Sequence, residues 1–263
     1  MGLGPAHHAM TTRLSVNLNK IATLRNTRTV GIPSVTRAAR ICLDAGAYGI
    51  TLHPRPDERH IRPGDVVDVA AVISGETGRR PELNLEGNPF HNLLQLAEKH
   101  HPTQCTLVPD ETSQATSDHG WDLARDGERL RPVIARMKEL GCRVSLFMDP
   151  VPDAMAIAKG LGADRVELYT ESFASAFARG SAATVLPAFR DSAVAARSAG
   201  LGVNAGHDLS LDNLGPFLDV VPGVLEVSIG HALVADALEY GLAETVRRYL
   251  AVCEAHGDGR AAR

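Results

Sequence analysis

Aromatic side chains are scarce in this chain: one Trp, four Tyr and six Phe among 263 residues. A binding module built on an aromatic-rich face is disfavoured, and any core has to be aliphatic. Hydrophobic residues at 44% and charged residues at 22% permit a sizeable core and argue against global disorder. Basic residues form no run beyond pairs such as Arg79-Arg80 and Arg247-Arg248, and the net charge is −4. The basic stripe that a nucleic-acid partner needs is missing, so an anionic ligand has to be held locally, by a few arginines and backbone amides. The four cysteines, Cys42, Cys105, Cys142 and Cys253, form no CxxC pair. Cys42, Cys105 and Cys142 sit in apolar or element-edge contexts, as small hydrophobes do. Without a signal peptide or an apolar run of membrane length, the expectation is a soluble protein of the reducing cytoplasm. No HxH or HExxH spacing occurs, and no cysteine ends a strand, so no metal site is expected. The stretch from Met1 to Thr12 lacks periodicity and is expected to be a disordered tail.

What the chain does contain is one unit, repeated. Short β-type runs occur at Leu14–Asn19, Tyr48–His53, Glu82–Glu86, Gln104–Val108, Arg143–Phe147, Arg165–Tyr169, Gly202–Asn204 and Leu225–Ile229. They read as apolar runs of a parallel sheet buried on both faces. Between them lie helical patterns at Ser34–Ala45, Arg125–Leu140, Pro152–Leu161, Ala183–Ala199 and Ala232–Cys253. The first four end at Gly46, Gly141, Gly162 and Gly200, the usual C-terminal caps. Alternation of this kind leaves an open doubly wound sheet or a closed barrel. Eight units at roughly 30-residue spacing favour an α/β fold of the (β/α)8 barrel type, one domain spanning residues 13–255 with extra short helices. Its scarce aromatics suit stacked Val, Ile and Leu layers inside the barrel. The absence of GxGxxG after the first run weakens the dinucleotide-binding alternative.

Barrel chemistry lies at the C-terminal ends of the strands. Those ends carry Asn17 with Asn19 and Lys20, His53 with Arg55, Asn84 with Glu86, Asp110, Asp149, Glu167 with Tyr169, Asn204 with His207, and Ser228 with Gly230 and His231. The opposite ends carry turn glycines, and that asymmetry points to an active site. His53 can serve as an acid or base near neutral pH, although a strand-end histidine can also simply bond a backbone carbonyl. Arg55, Arg59, His60 and Arg62 form either a solvated loop or an anion clamp, since guanidinium binds phosphate oxygens in a fork. Glu86 and Glu167 lie in strands, where a carboxylate is costly unless paired or used, and where burial raises its pKa. The loops holding Asn204 to His207 and Ser228 to His231 occupy the habitual phosphate site of the fold, where glycines let backbone amides approach an anion.

Several of these segments together resemble the pyridoxine 5′-phosphate synthase family from Leu14 to Leu250. They are Val16 to Arg25 (VNLNKIATLR), Gly49 to Arg55 (GITLHPR), Arg59 to Ile61, Asn84 to Glu86, Leu107 to Pro109, Arg143 to Phe147, Gly202 to His207 (GVNAGH) and Ser228 to His231. The resemblance implies condensation of 1-deoxy-D-xylulose 5-phosphate with 3-amino-2-oxopropyl phosphate to pyridoxine 5′-phosphate, inorganic phosphate and water. It implies no metal or organic cofactor, a homo-octamer, and two small phosphorylated substrates as partners rather than nucleic acid or membrane. His53 and Glu86 would be bases, His207 the proton donor, and Glu167 a transition-state stabiliser. Asn17, Arg28, Gly230 and His231 would hold the aminoketone phosphate. Asn19, Lys20, Arg55, His60 and Thr116 would contact the sugar phosphate. The commonest family pattern has Asp-His at Asn19-Lys20 and Gly at Asp208, a position otherwise expected to contact substrate. The loop from Pro109 to Trp121 is a candidate lid. The competing readings are a phosphosugar isomerase or aldolase, for which Lys20 is the only candidate Schiff-base lysine, and a catalytically silent phosphate-binding barrel.

Overall fold

A computed structural model of the chain describes residues 11–114 and 116–257. Eight parallel strands follow one another around a ring: β1 (Arg13–Asn17), β2 (Gly49–Leu52), β3 (Glu82–Gly87), β4 (Gln104–Leu107), β5 (Arg143–Met148), β6 (Arg165–Tyr169), β7 (Gly202–His207) and β8 (Val224–Ile229). The last pairs with the first, Ser228 opposite Ser15, so the barrel is closed. Met1–Met10, which hold most of the expected tail, lie outside the described residues. Thr12 does not behave as tail, because it is buried and its hydroxyl donates to the Val224 carbonyl at 2.8 Å.

Helices connect the strands: α1 (Asn19–Asn26), α2 (Val35–Asp44), α3 (Pro63–Ser74), α4 (Leu93–His100), α5 (Leu123–Glu139), α6 (Ala154–Gly160), α7 (Glu171–Ala178), α8 (Leu186–Ser198), α9 (Leu214–Val220), α10 (His231–Tyr240) and α11 (Leu242–His256). Helix α2 shows why the pattern folds as it does. Ser34 accepts the Arg37 amide as N-cap, and Val35, Ala38, Ala39, Cys42 and Leu43 are buried on one stripe. The chain then turns at Gly46, where φ is +107°. The single C-terminal helix expected over Ala232–Cys253 is two helices. Gly241, at φ 78° and ψ 146°, breaks it, donating to the Ala237 carbonyl and accepting from the Thr245 amide to start α11. Among the described residues no helix is long and apolar enough to cross a membrane.

The barrel interior differs from the aliphatic layers expected. Strand residues alternate, and the inward set is polar. Side chains bond across the lumen between strands that are not neighbours: Gln104 on β4 to Glu226 on β8 at 3.3 Å, Asn204 on β7 to Gln104 at 3.4 Å, and Ser228 on β8 to Glu86 on β3 at 3.3 Å. Ser15, Thr51, Asn84 and Thr106 continue the column through bonds of 2.7, 3.2 and 3.1 Å. The outward set is apolar: Leu14, Val16, Ile50, Leu52, Leu85, Leu107, Leu146, Val166, Leu168, Val227 and Ile229 are all completely or almost completely buried. The aliphatic core is therefore the shell between strands and helices. At about 25 cal/mol per Å² of apolar surface removed from water, that shell is the main stabilising term.

The asymmetry between barrel ends also needs correction. The N-terminal end holds a charged network of its own. Arg143 pairs with Glu82 and lies 3.7 Å from Glu226, which Arg165 contacts at 3.1 Å. Tyr48 donates to Glu82 at 2.8 Å and accepts from Arg13. These arginines and carboxylates satisfy one another, so the floor of the barrel is a closed ion-pair plug. What distinguishes the other end is a cavity lined by histidines and glutamates.

Candidate active site

A cavity of about 490 Å³ opens at the C-terminal mouth of the strands. Every residue to which the resemblance assigns a role lines it except Arg28. Arg28 is exposed in the turn after α1. That helix of eight residues carries the chain about 12 Å from the end of β1, and Arg28, just beyond it, lies away from the mouth. Asn84 and Asn204 belong to the lumen column below the cavity, and Arg62 begins α3 without lining it.

Two buried carboxyl groups form the floor. Glu86 accepts from Asn17 at 3.2 Å and from Ser228 at 3.3 Å. Burial raises its pKa, and the His53 and His207 charges pull in the other direction without cancelling that rise. Glu167, inside β6, is more isolated, with the Thr106 hydroxyl 3.5 Å away as its polar contact. Burial, then the charges of Glu86 and Glu226, push its pKa well above the ordinary carboxylate value. Ionising a buried carboxyl costs several kcal/mol, and one long hydrogen bond returns about 1 kcal/mol. Burial therefore favours the neutral acid at Glu167 over the carboxylate.

His53 stands at the end of β2 with Nε2 3.4 Å from Asp110. Its backbone amide donates to the Asn19 side-chain oxygen at 3.0 Å, and the Asn19 amide donates to Asn17 at 2.9 Å. An amide oxygen thus holds the turn after β1 against β2, so no carboxylate is needed at position 19 for that contact. Asp110 is buried and also lies 3.3 Å from Arg55. Burial alone would raise its pKa, but the His53 hydrogen bond and the His53 and Arg55 charges outweigh it and leave the group below its usual value.

The loop after β4 covers part of the mouth. Arg55 donates to the carbonyls of Glu111 and Gln114, and Arg59 donates to those of Thr112 and Gln114 at 2.7 Å each. Both guanidinium groups brace the loop, so the arginine cluster is more than an open anion clamp. His60 sits beside them. Burial, followed by the His53, Arg55 and Lys20 charges, lowers its pKa to about 3. Its Nδ1 accepts the Ile61 amide at 3.0 Å, which leaves the proton of the neutral ring on Nε2.

On the opposite wall, His207 takes a φ of 92°, uncommon for a residue with a side chain. Its Nδ1 lies 2.6 Å from Asp208 and its Nε2 2.9 Å from the Thr116 hydroxyl, while Tyr169 packs edge-on at 5.4 Å. Gly230 and His231 open α10, and a Cβ on Gly230 would meet Asn17 at 3.1 Å. The first amides of α10 therefore face the cavity next to Asn17, an arrangement suited to an anion.

Thr23, Val108, Ser117 and Phe147 also line the cavity and were not anticipated. Phe147 shares the inward parity of Arg143 and Ser145 on β5, so strand alternation could have found it. Thr23 and Ser117 carry no such signal. Among the described residues no three His, Cys, Asp or Glu side chains are grouped as a metal ion would need.

Comparison with known proteins fits this geometry. The profile of the family described as Pyridoxal phosphate biosynthesis protein PdxJ matches residues 14–255. The chain belongs to the PdxJ family. Relatives named pyridoxine 5′-phosphate synthase include one from Albidiferax ferrireducens, 58% identical over 94% of this chain and 99% of the relative. Another, from Xanthomonas campestris pv. campestris, is 55% identical over 92% of this chain and 96% of the relative. Among solved structures, tryptophan synthase from M. tuberculosis is similar at TM-score 0.65 and 13% identity, covering 94% of each chain. Tryptophan synthase subunit alpha from Legionella pneumophila is similar at TM-score 0.58 and 14% identity, covering 94% of this chain and 92% of that one. Those two likenesses concern the barrel fold alone. The PdxJ match begins inside β1 and ends inside α11, so it takes in every wall of the cavity.

Proposed function

We propose that this PdxJ-family chain is a pyridoxine 5′-phosphate synthase of vitamin B6 biosynthesis. It joins 1-deoxy-D-xylulose 5-phosphate and 3-amino-2-oxopropyl phosphate into pyridoxine 5′-phosphate, with release of inorganic phosphate and water. The observation that carries this reading is the placement of Glu86 and Glu167 on one cavity floor between His53 and His207. Forming an imine, expelling phosphate and closing an aromatic ring are successive proton transfers on one bound framework. They call for several acid and base groups facing the same space.

In this reading His53 and Glu86 take protons from the carbon framework, with the Asp110 carboxylate 3.4 Å from His53 Nε2. His207 returns a proton to the leaving oxygen from Nε2. Glu167, held neutral, donates a hydrogen bond to charge developing on the substrate. Asn17 and the amides at Gly230 and His231 take the aminoketone phosphate. Lys20, His60 and Thr116 face the sugar phosphate, with Arg55 holding the loop above it and Asn19 fixing the turn below. Lys20 is exposed on α1 at the cavity rim, whereas a Schiff-base lysine is activated by desolvation or a cationic neighbour. A homo-octamer working in the cytoplasm belongs to the same reading, and exposed Leu24, Val30, Ile32 and Leu238 offer apolar surface for self-association.

Incubating the purified protein with both substrates tests the reading. Pyridoxine 5′-phosphate and phosphate should form in equal amounts, with nothing from either substrate alone and no borohydride-trapped adduct on Lys20. Tight binding of the sugar phosphate without product would instead favour the silent barrel.

A further inference from the structure

The contact between Asp208 and His207 departs most from what the sequence suggests. Position 208 follows the catalytic histidine, where the resemblance has glycine, and a side chain there would be expected to touch substrate or nothing. Instead one carboxylate oxygen lies 2.6 Å from His207 Nδ1. A carboxylate only accepts, so the Nδ1 proton is fixed by this contact and the lone pair of the neutral ring is on Nε2. That nitrogen is the one aimed at the Thr116 hydroxyl on the cavity side.

The backbone beneath the carboxylate is held from two directions. The Asp208 amide donates to the Thr170 hydroxyl at 3.2 Å, and Thr170 in turn donates to the Gly206 carbonyl at 2.6 Å. The Asp208 carbonyl accepts from Asn213 at 3.2 Å. With His207 at φ 92° and Tyr169 against its ring edge, both partners of the pair have their directions set by the scaffold. The carboxylate is spent on the ring and not on the cavity centre.

We propose that Asp208 is the positioning residue of His207: it fixes the ring's tautomer and orientation and balances the imidazolium charge, so that Nε2 delivers its proton to the substrate. This rests on the reading of His207 as proton donor and replaces the expectation that Asp208 contacts substrate. A proton taken up from solvent at Nε2 makes a cationic ring beside the carboxylate, and its transfer to the leaving oxygen returns the ring to the neutral Nδ1–H form.

The test combines nitrogen-15 spectra of the histidine rings with steady-state kinetics on the full chain. In the wild type the neutral His207 ring should carry its proton on Nδ1, and in Asp208→Ala the signal should move toward the Nε2–H form. A neutral wild-type His207 ring carrying its proton on Nε2 instead of Nδ1 would overturn the proposal even if the protein made no product, so this arm is independent of the proposed function. General acids contribute on the order of 10²–10⁴ in rate. Asp208→Ala should therefore lose about 100-fold in kcat, and Asp208→Asn, which still accepts the Nδ1–H bond, about 10-fold, with KM for either substrate within about twofold. A raised KM at unchanged kcat would make Asp208 a substrate contact and sink the idea, as would unchanged kinetics. Should Asp208→Ala fail to fold, the Asn variant and the wild-type spectrum still decide.

Discussion

Glu167 shows how a single residue trades stability against chemistry. Burial and two neighbouring carboxylates hold its pKa well above the usual value, so the native state binds a proton that the unfolded chain has released above about pH 4.5. Stability therefore falls as pH rises past the ordinary carboxylate range, because the native state then binds more protons than the unfolded one. Glu167→Gln keeps the shape and a hydrogen-bond donor but removes that dependence. We expect its melting temperature to exceed the wild type's at pH 7–8, with the difference shrinking toward pH 4.5, while turnover drops at least 100-fold. Calorimetry across that pH range reads the sign. A variant less stable than wild type at pH 8 would mean that the carboxyl is ionised in the native state.

At the scale of elements, the strands are the levers that place these groups, and β7 carries a tight constraint beside Glu167. A Cβ on Gly206 would meet Glu167 Oε1 at 2.5 Å and the Ser228 carbonyl at 2.8 Å. The glutamate could swing away, but the carbonyl belongs to β8, whose Ser228 is paired with Gly206. Gly206→Ala should cost about 1–3 kcal/mol from overpacking, lowering the melting temperature by several degrees and reducing kcat through displaced Glu167. An unchanged melting temperature would show that β7 and β8 can part freely. All eight strands were legible from sequence because each is a short run bounded by turn glycines or polar ends. Their inner faces were misread. The alternation in Glu82-Leu83-Asn84-Leu85-Glu86 and Arg165-Val166-Glu167-Leu168-Tyr169 already separates a polar lumen from an apolar shell, yet it passes for a continuous buried run when only the apolar positions are counted. The break at Gly241 was hidden because apolar residues continue on both sides of it. Helices α1, α3, α4, α7 and α9 went unnoticed; four of them are only seven or eight residues long, and give periodicity little room.

Across the whole molecule, the two ends of the barrel divide the work. The N-terminal end is closed by Arg143, Arg165, Glu82 and Glu226, whose charges are matched within the plug. The C-terminal end leaves acids and histidines facing a cavity, with loop carbonyls tied to Arg55 and Arg59 above it. Most of the site could be read in advance because barrel geometry sends every strand end to one mouth, whatever the distance in sequence. Arg28 could not, since its place depends on the length of α1 rather than on a strand end. The pairing of His207 with Asp208 could not either, because adjacent residues face each other only through the left-handed turn at 207. If the mouth is one reaction chamber, its product has one place to sit. A crystal structure with pyridoxine 5′-phosphate bound should show the pyridine ring inside this cavity, within hydrogen-bond reach of both Glu86 and His207, and the phosphate at the amides of Gly230 and His231. Product bound at the other end of the barrel, or touching only one of Glu86 and His207, would contradict a single shared site.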